Sequence, residues 1–130
     1  MENANGHMLV VDDEEKNCLL LRDLLEAHGH WVTEASNGEE ALKRVKENPP
    51  DVILLDVMMP VMDGFEVCQK LRAQVETAFI PIMMLTANPS EEGRIRGYMV
   101  GSDDYVSKPF NVAELNARVT RLLRRAYGIS

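Results

Sequence analysis

The chain has 130 residues, 45% of them hydrophobic and 27% charged, and its 14 basic and 21 acidic side chains leave a net charge of −7. That length supports one domain around one sizeable core, and the composition is ordinary for a globular protein. The acidic balance argues against broad nucleic-acid or membrane binding, and no apolar stretch approaches the ~20 residues that a bilayer span needs.

Residues 1–6 lack the basic and apolar regions of a signal peptide and are expected to be a disordered or expression-derived lead-in. "HMLVVDD" (7–13) is a predicted buried strand ending in two aspartates. A helix is predicted over 14–29, with Cys18, Leu21 and Leu25 in one line, Leu20 and Leu24 beside it, and Gly29 closing it. "HWVTEA" (30–35) is a more polar strand, expected at an edge. After the "SNG" turn, "EEALKRVKEN" carries acids early and bases late, matching a helix macrodipole, and "PP" (49–50) ends it. "DVILLD" (51–56) is almost continuously apolar, as suits a central parallel strand covered on both faces.

The "MMPVMDG" loop leads into a helix over 65–74, with Val67 and Leu71 one turn apart. A fourth strand is expected over 79–87, with Pro81 near its start. The helix over 90–101 is predicted to be weak, because Gly93 and Gly97 each cost up to ~1 kcal/mol in a helix interior. A short fifth strand falls within 103–110. The last helix, 111–127, has a capping-box-like start at Asn111 and Glu114 and an expected inner stripe of Val112, Leu115, Val119, Leu122 and Leu123. Its basic end, "RLLRR", suits a helix terminus; continuation into an effector is the alternative. Five strands alternating with five helices imply an α/β, doubly wound parallel sheet with helices on both faces. Cys18 and Cys68 lie in apolar helical patterns with no metal-ligand spacing, which fits small buried hydrophobes in a reduced, cytoplasmic compartment.

In such a sheet, ligands bind beyond the carboxyl ends of the strands. The polar residues expected there are Asp12, Asp13, Asp56, Thr86 and Lys108. Three neighbouring carboxylates must either hold protons or share a cation, and hard oxygen ligands favour magnesium. Adjacent residues of an extended strand point to opposite faces, so one of Asp12 and Asp13 is expected to ligate directly and the other through water. Asp56 can act as a nucleophile forming an acyl phosphate, with magnesium, Lys108 and Thr86 holding the phosphoryl oxygens. Met58, Met59 and Met62 are read as gap-fillers.

The segments "LVVDDE", "DVILLDVMMPVMDG", "IPIMMLTA" and "GSDDYVSKPF" together resemble the receiver domain of bacterial two-component response regulators, over about residues 7 to 126. The resemblance implies a flavodoxin-like strand order of 2-1-3-4-5 and a receiver domain over 7–127, followed by a tail at 128–130. It also implies roles: Asp56 as phosphoacceptor, Asp12 and Asp13 as the acidic pair, and the Met58 backbone carbonyl as a further magnesium contact. Thr86 and Tyr105 match the switch pair and Lys108 the phosphate-binding ammonium, and Lys108–Pro109 matches a cis peptide. On phosphorylation Thr86 would move toward the new group and Tyr105 would turn into the vacated space. The implied partners are a histidine kinase or phosphotransfer protein, and an effector reached through the 90–127 face, with room for a phosphorylation-dependent dimer. The "YMV" triplet (98–100) and Gly93 depart from the family pattern on that face.

Two other functions compete. A magnesium-dependent phosphohydrolase resembling the haloacid dehalogenase family needs a second aspartate two residues after the nucleophile, where this chain has Met58. A phosphorylation-independent interaction module would be expected to have lost part of the acidic pair, Asp56 or Lys108. A dinucleotide site is argued against by the lack of G-x-G-x-x-G after the first strand.

Overall fold

The computed structural model describes residues 5–87 and 90–127. Its elements alternate strictly: β1 (His7–Val11), α1 (Glu15–Glu26), β2 (Trp31–Ala35), α2 (Gly38–Glu47), β3 (Val52–Asp56), α3 (Gly64–Arg72), β4 (Ile82–Thr86), α4 (Glu91–Met99), β5 (Asp104–Ser107) and α5 (Val112–Ala126). The strands form one parallel sheet in the order β2-β1-β3-β4-β5. Most of the expected lead-in and all of the expected tail lie outside the described residues. Gly6 is buried, and its N–H donates to His30 Nδ1 at 3.2 Å.

The central strands are apolar throughout because each face has its own core. Met8, Val10, Val52, Leu54, Met83 and Leu85 pack against Cys18, Leu21 and Leu25 of α1 and Leu115, Val119, Leu122 and Leu123 of α5. The alternating residues Leu9, Val11, Ile53, Leu55, Ile82 and Met84 pack on the other face against Ala41 and Val45 of α2 and Phe65, Val67, Cys68 and Leu71 of α3. Each fully buried aliphatic side chain contributes about 2 kcal/mol from surface removed from water. Side-chain caps start four helices: Asn37, Asp63, Ser90 and Asn111 each accept a backbone N–H three residues on.

Several expected boundaries move. β4 begins at Ile82, not Phe79, because Phe79 lies in a turn with its side chain in solvent. β1 stops at Val11 and β5 at Ser107, so Asp12, Asp13 and Lys108 sit on loops just beyond the strands. Val112 is about half exposed rather than part of the inner stripe, as the first residue of α5 precedes the face that meets the sheet. Leu20 is likewise exposed, since α1 turns only the Cys18, Leu21 and Leu25 face and Leu24 inward. Met58 is exposed and fills no gap, while Met59 is buried. Arg121 and Arg125 of the basic α5 end reach Asp104 and Asp103, at 3.2 and 3.0 Å, beside the start of β5.

α4 is the least anchored helix, as its only buried residue is Gly97. It is held at its edges instead. Arg96 stacks over the Phe65 ring at 4.3 Å, and Cys68 Sγ donates to the Val100 carbonyl at 3.4 Å.

Val61, in the loop after β3, has φ 70°, in the left-handed region that a β-branched residue adopts only under strain. Val61→Gly is expected to stabilise the domain by about 1 kcal/mol. Urea unfolding measures this, and an unchanged or lower midpoint contradicts it.

Candidate functional site

The carboxyl ends of β1 and β3 are adjacent in the sheet, and the loops leaving them bring three carboxylates together. One oxygen each from Asp12, Asp13 and Asp56 lies within 4.8 Å of the others. Asp12 is 1% exposed and Asp56 5%, whereas Asp13 stands in solvent. The alternation expected of the acidic pair does not separate the two carboxylates, because β1 has ended by Asp12 and the chain there is already turning. Asp12 Oδ1 accepts the Glu14 N–H at 2.9 Å, which fixes that turn.

Lys108 enters from the far side, two strands away. Its Nζ lies 3.2 Å from Asp12 Oδ2 and 3.2 Å from Asp56 Oδ1. Its own N–H donates to the Thr86 carbonyl at 2.7 Å, so the β4 and β5 ends are stitched at this point. The Lys108–Pro109 peptide is cis. Thr86 is buried and follows Leu85, the register partner of Asp56. The site therefore collects Asp12, Asp13, Asp56, Thr86 and Lys108 at one rim. Met58 lies two residues past Asp56 with its side chain in solvent. Tyr105 is on β5, its ring beside Gly93 and Gly97 of α4.

Electrostatics agree with an excess of negative charge. Burial first, then the Asp12 carboxylate, push the Asp56 acid up to about 6, against the opposing pull of Lys108. Burial alone would lower the Lys108 ammonium, but Asp56 and Asp12 outweigh it and hold it above its usual range. One half-buried ammonium thus shares two carboxylates, and a third carboxylate is left over. That donor set, oxygen only and short of positive charge, fits a hard divalent cation with several waters retained. A surface hollow of about 920 Å³ between the ends of α2 and α3 contains none of these groups.

Two supports for the site are less visible in sequence. A Cβ on Gly64 would fall 2.5 Å from the Asp56 carbonyl oxygen and 2.9 Å from Val57 Cα, so only glycine lets α3 start against the site strand. The Asp63–Gly64 pair signals a turn, but not this close approach. The Arg96–Phe65 stack ties α4 to the same helix start, and nothing in the local pattern of either segment announces it.

Comparison with known proteins matches residues 8–120 to the response regulator receiver domain. The chain is 50% identical over 122 residues to the alkaline phosphatase synthesis transcriptional regulatory protein PhoP of Bacillus subtilis, covering 94% of this chain and 50% of that protein. It is 50% identical over 117 residues to the phosphate regulon transcriptional regulatory protein PhoB of Rhizobium meliloti, covering 90% and 52%. The chain thus spans about half the length of these relatives. A putative response regulator from Chloroflexus aurantiacus superposes with a TM-score of 0.89 at 37% identity, covering 93% of this chain and 99% of that one. The chemotaxis protein CheY4 of Vibrio cholerae gives 0.84 at 37% identity, over 89% and 97%. From the sheet order and these matches together, the chain belongs to the response regulator receiver domain family.

Proposed function

We propose that residues 7–127 act as a phosphorylation-dependent switch that takes a phosphoryl group onto Asp56 from a histidine kinase or phosphotransfer protein. The observation that carries this reading is the convergence of three carboxylates within 4.8 Å, with Lys108 bridging two of them at 3.2 Å. Asp56 is the acceptor in this reading: it closes the middle strand, lies 3.2 Å from the ammonium, and occupies the position that the receiver-domain resemblance gives the phosphoacceptor. At pH 7 it is mostly ionised, so a carboxylate oxygen is available to attack phosphorus as the donor's bond to phosphorus breaks. Lys108 stays protonated and offsets charge on the transferred group. Asp12, Asp13, Asp56 and the Met58 carbonyl would hold Mg²⁺, which supplies charge neutralisation and orientation of phosphoryl oxygens when bound.

The output runs through Thr86 and Tyr105 to the 90–127 face. α4 is the element suited to shift, since it gives no large side chain to the core. Phosphate on Asp56 would bias a two-state equilibrium of that face. The relatives' names point to transcription as the output, reached through an effector rather than through contact of this acidic domain with nucleic acid. A cytoplasmic setting suits a kinase partner and two free cysteines.

The test is intact-mass measurement after incubation with a small-molecule phosphodonor and magnesium. The wild type should gain one hydroxylamine-sensitive phosphoryl group and Asp56→Asn none; undiminished uptake in that variant would move the acceptor elsewhere. Thr86→Ala should still take up phosphate but lose most of the conformational response. Amide spectra with and without donor measure this, and a wild-type-sized shift contradicts it.

A further inference from the structure

Two glycines of α4 face the Tyr105 ring. Gly93 and Gly97 are one helical turn apart and share a helix face. A Cβ at Gly97 would lie 2.9 Å from Tyr105 Cδ1 and 3.2 Å from Cε1. One at Gly93 would lie 2.8 Å from Tyr105 Oη and 3.0 Å from Ser90 Oγ, yet 3.9 Å from Tyr105 Cζ. The ring therefore occupies the space that two side chains would fill, and the conflict at position 93 is with the hydroxyl rather than the ring. In register, Tyr105 pairs with Met84 and Ser107 with Thr86. Alternate strand residues share a face, so Tyr105 and Thr86 lie on the same side of the sheet, on neighbouring strands.

We infer that Gly93 is a positioning residue for Tyr105: its missing side chain keeps open the seat in α4 that the phenol occupies, and a methyl group there expels the tyrosine. The inference rests on the reading of Tyr105 as part of the switch, and it adds what sets the position of that ring. By helix propensity alone both glycines are unfavourable. Their placement accounts for them: each stands where a Cβ would strike Tyr105, and no large side chain of α4 enters the core beside it. Ser90 closes the seat by capping α4 through the Gly93 N–H at 2.9 Å. An expelled phenol has somewhere to go. A hollow of about 290 Å³ beside it is lined by Ser90, Glu91, Arg94, Tyr105 and Ser107. Movement of Tyr105 and movement of the start of α4 are thereby one event, because the ring cannot stay seated once the helix closes on it.

The test is Gly93→Ala in the full chain, with ring-labelled tyrosine and phenylalanine, the Tyr105 signal assigned by its loss in Tyr105→Phe and the phenylalanine signal at position 105 by its gain there. In Gly93→Ala the ring contacts to residue 97 should be lost both with and without phosphodonor and magnesium, while phosphoryl uptake by intact mass is retained. Gly93→Ala/Tyr105→Phe should recover the ring contact to Gly97, since the hydroxyl is the only Tyr105 atom nearer than 3.9 Å to that Cβ; a general stiffening of α4, or the Cβ contact with Ser90 Oγ, would not be relieved by removing the phenol oxygen. A Tyr105 still seated in Gly93→Ala overturns the inference, as does a double variant with no recovery. If Gly93→Ala fails to fold, folding regained in the double variant supports the seat and folding not regained overturns it. The two readings separate in the wild type: a Tyr105 indifferent to phosphodonor sinks its role in the switch, whatever Gly93→Ala does to its seat.

Discussion

Asp56→Asn is expected to abolish phosphoryl uptake and, in metal-free protein at pH 7, to raise stability by about 2 kcal/mol. The acid sits at about 6 in the folded protein, from burial and the neighbouring Asp12 carboxylate, against ~3.9 in an unfolded chain. A carboxyl group whose acid form is favoured by folding contributes most below the unfolded value. That contribution is lost as pH rises from about 4 through about 6, and the loss is complete above it. Two units correspond to almost 3 kcal/mol, which the partial water access of the rim trims to about 2. Asparagine cannot ionise, so the gap between variant and wild type should open across that pH window and then stay level. Magnesium should narrow it, because a cation that folded Asp12, Asp13 and Asp56 could hold would stabilise the wild type more than a variant lacking one ligand. Chemical denaturation at several pH values, with and without magnesium, measures this. A difference independent of pH would mean that Asp56 carries no such strain.

Arg72→Ala is expected to destabilise the domain by about 3–4 kcal/mol without touching the acidic site. The guanidinium donates to the carbonyls of Gly101 at 2.9 Å, Ala78 at 3.1 Å and Ile80 at 2.7 Å, and to Asp103 Oδ2 at 2.8 Å. That same Asp103 oxygen accepts the Ile82 N–H at 2.9 Å. One side chain thus fixes the end of α3, the turn before β4 and the turn before β5. Its own side chain is only 19% exposed, so truncation leaves acceptors without donors and little water to replace them. Gly101, with φ +102°, completes the arrangement, since a Cβ there would fall 2.8 Å from Arg72 Cγ. Arg72→Lys should recover only a minority of the loss, because one ammonium cannot span a planar fork's partners. Arg125→Ala is the comparison: its pair with Asp103 is solvent-exposed and should be worth under ~1 kcal/mol. Urea midpoints decide, and a loss for Arg72→Ala no larger than that for Arg125→Ala refutes the account.

The number, order and type of all ten elements followed from hydrophobic period and turn residues. Val52 to Leu55 announced a strand covered on both faces, and the two cores bear this out. Boundaries were less legible. Phe79, Leu20 and Val112 satisfy local apolar patterns yet stand in solvent, because exposure depends on which helix or strand arrives opposite them. The members of the acidic rim could be named from strand ends alone, since a parallel sheet gathers those ends on one side. Their spacing could not, nor that Lys108 would bridge two of three carboxylates.

Gly93 and Gly97 mark the division most plainly. Read along the chain they are defects in a helix; in space they make room for a tyrosine on a neighbouring strand. The alternating architecture and the membership of the rim could be read along the chain, because period and strand-end chemistry are local properties. How Arg72 unites three turns, how Arg96 meets Phe65 and why α4 is rich in glycine became visible in three dimensions alone, because those contacts join segments whose separation in the chain carries no local trace.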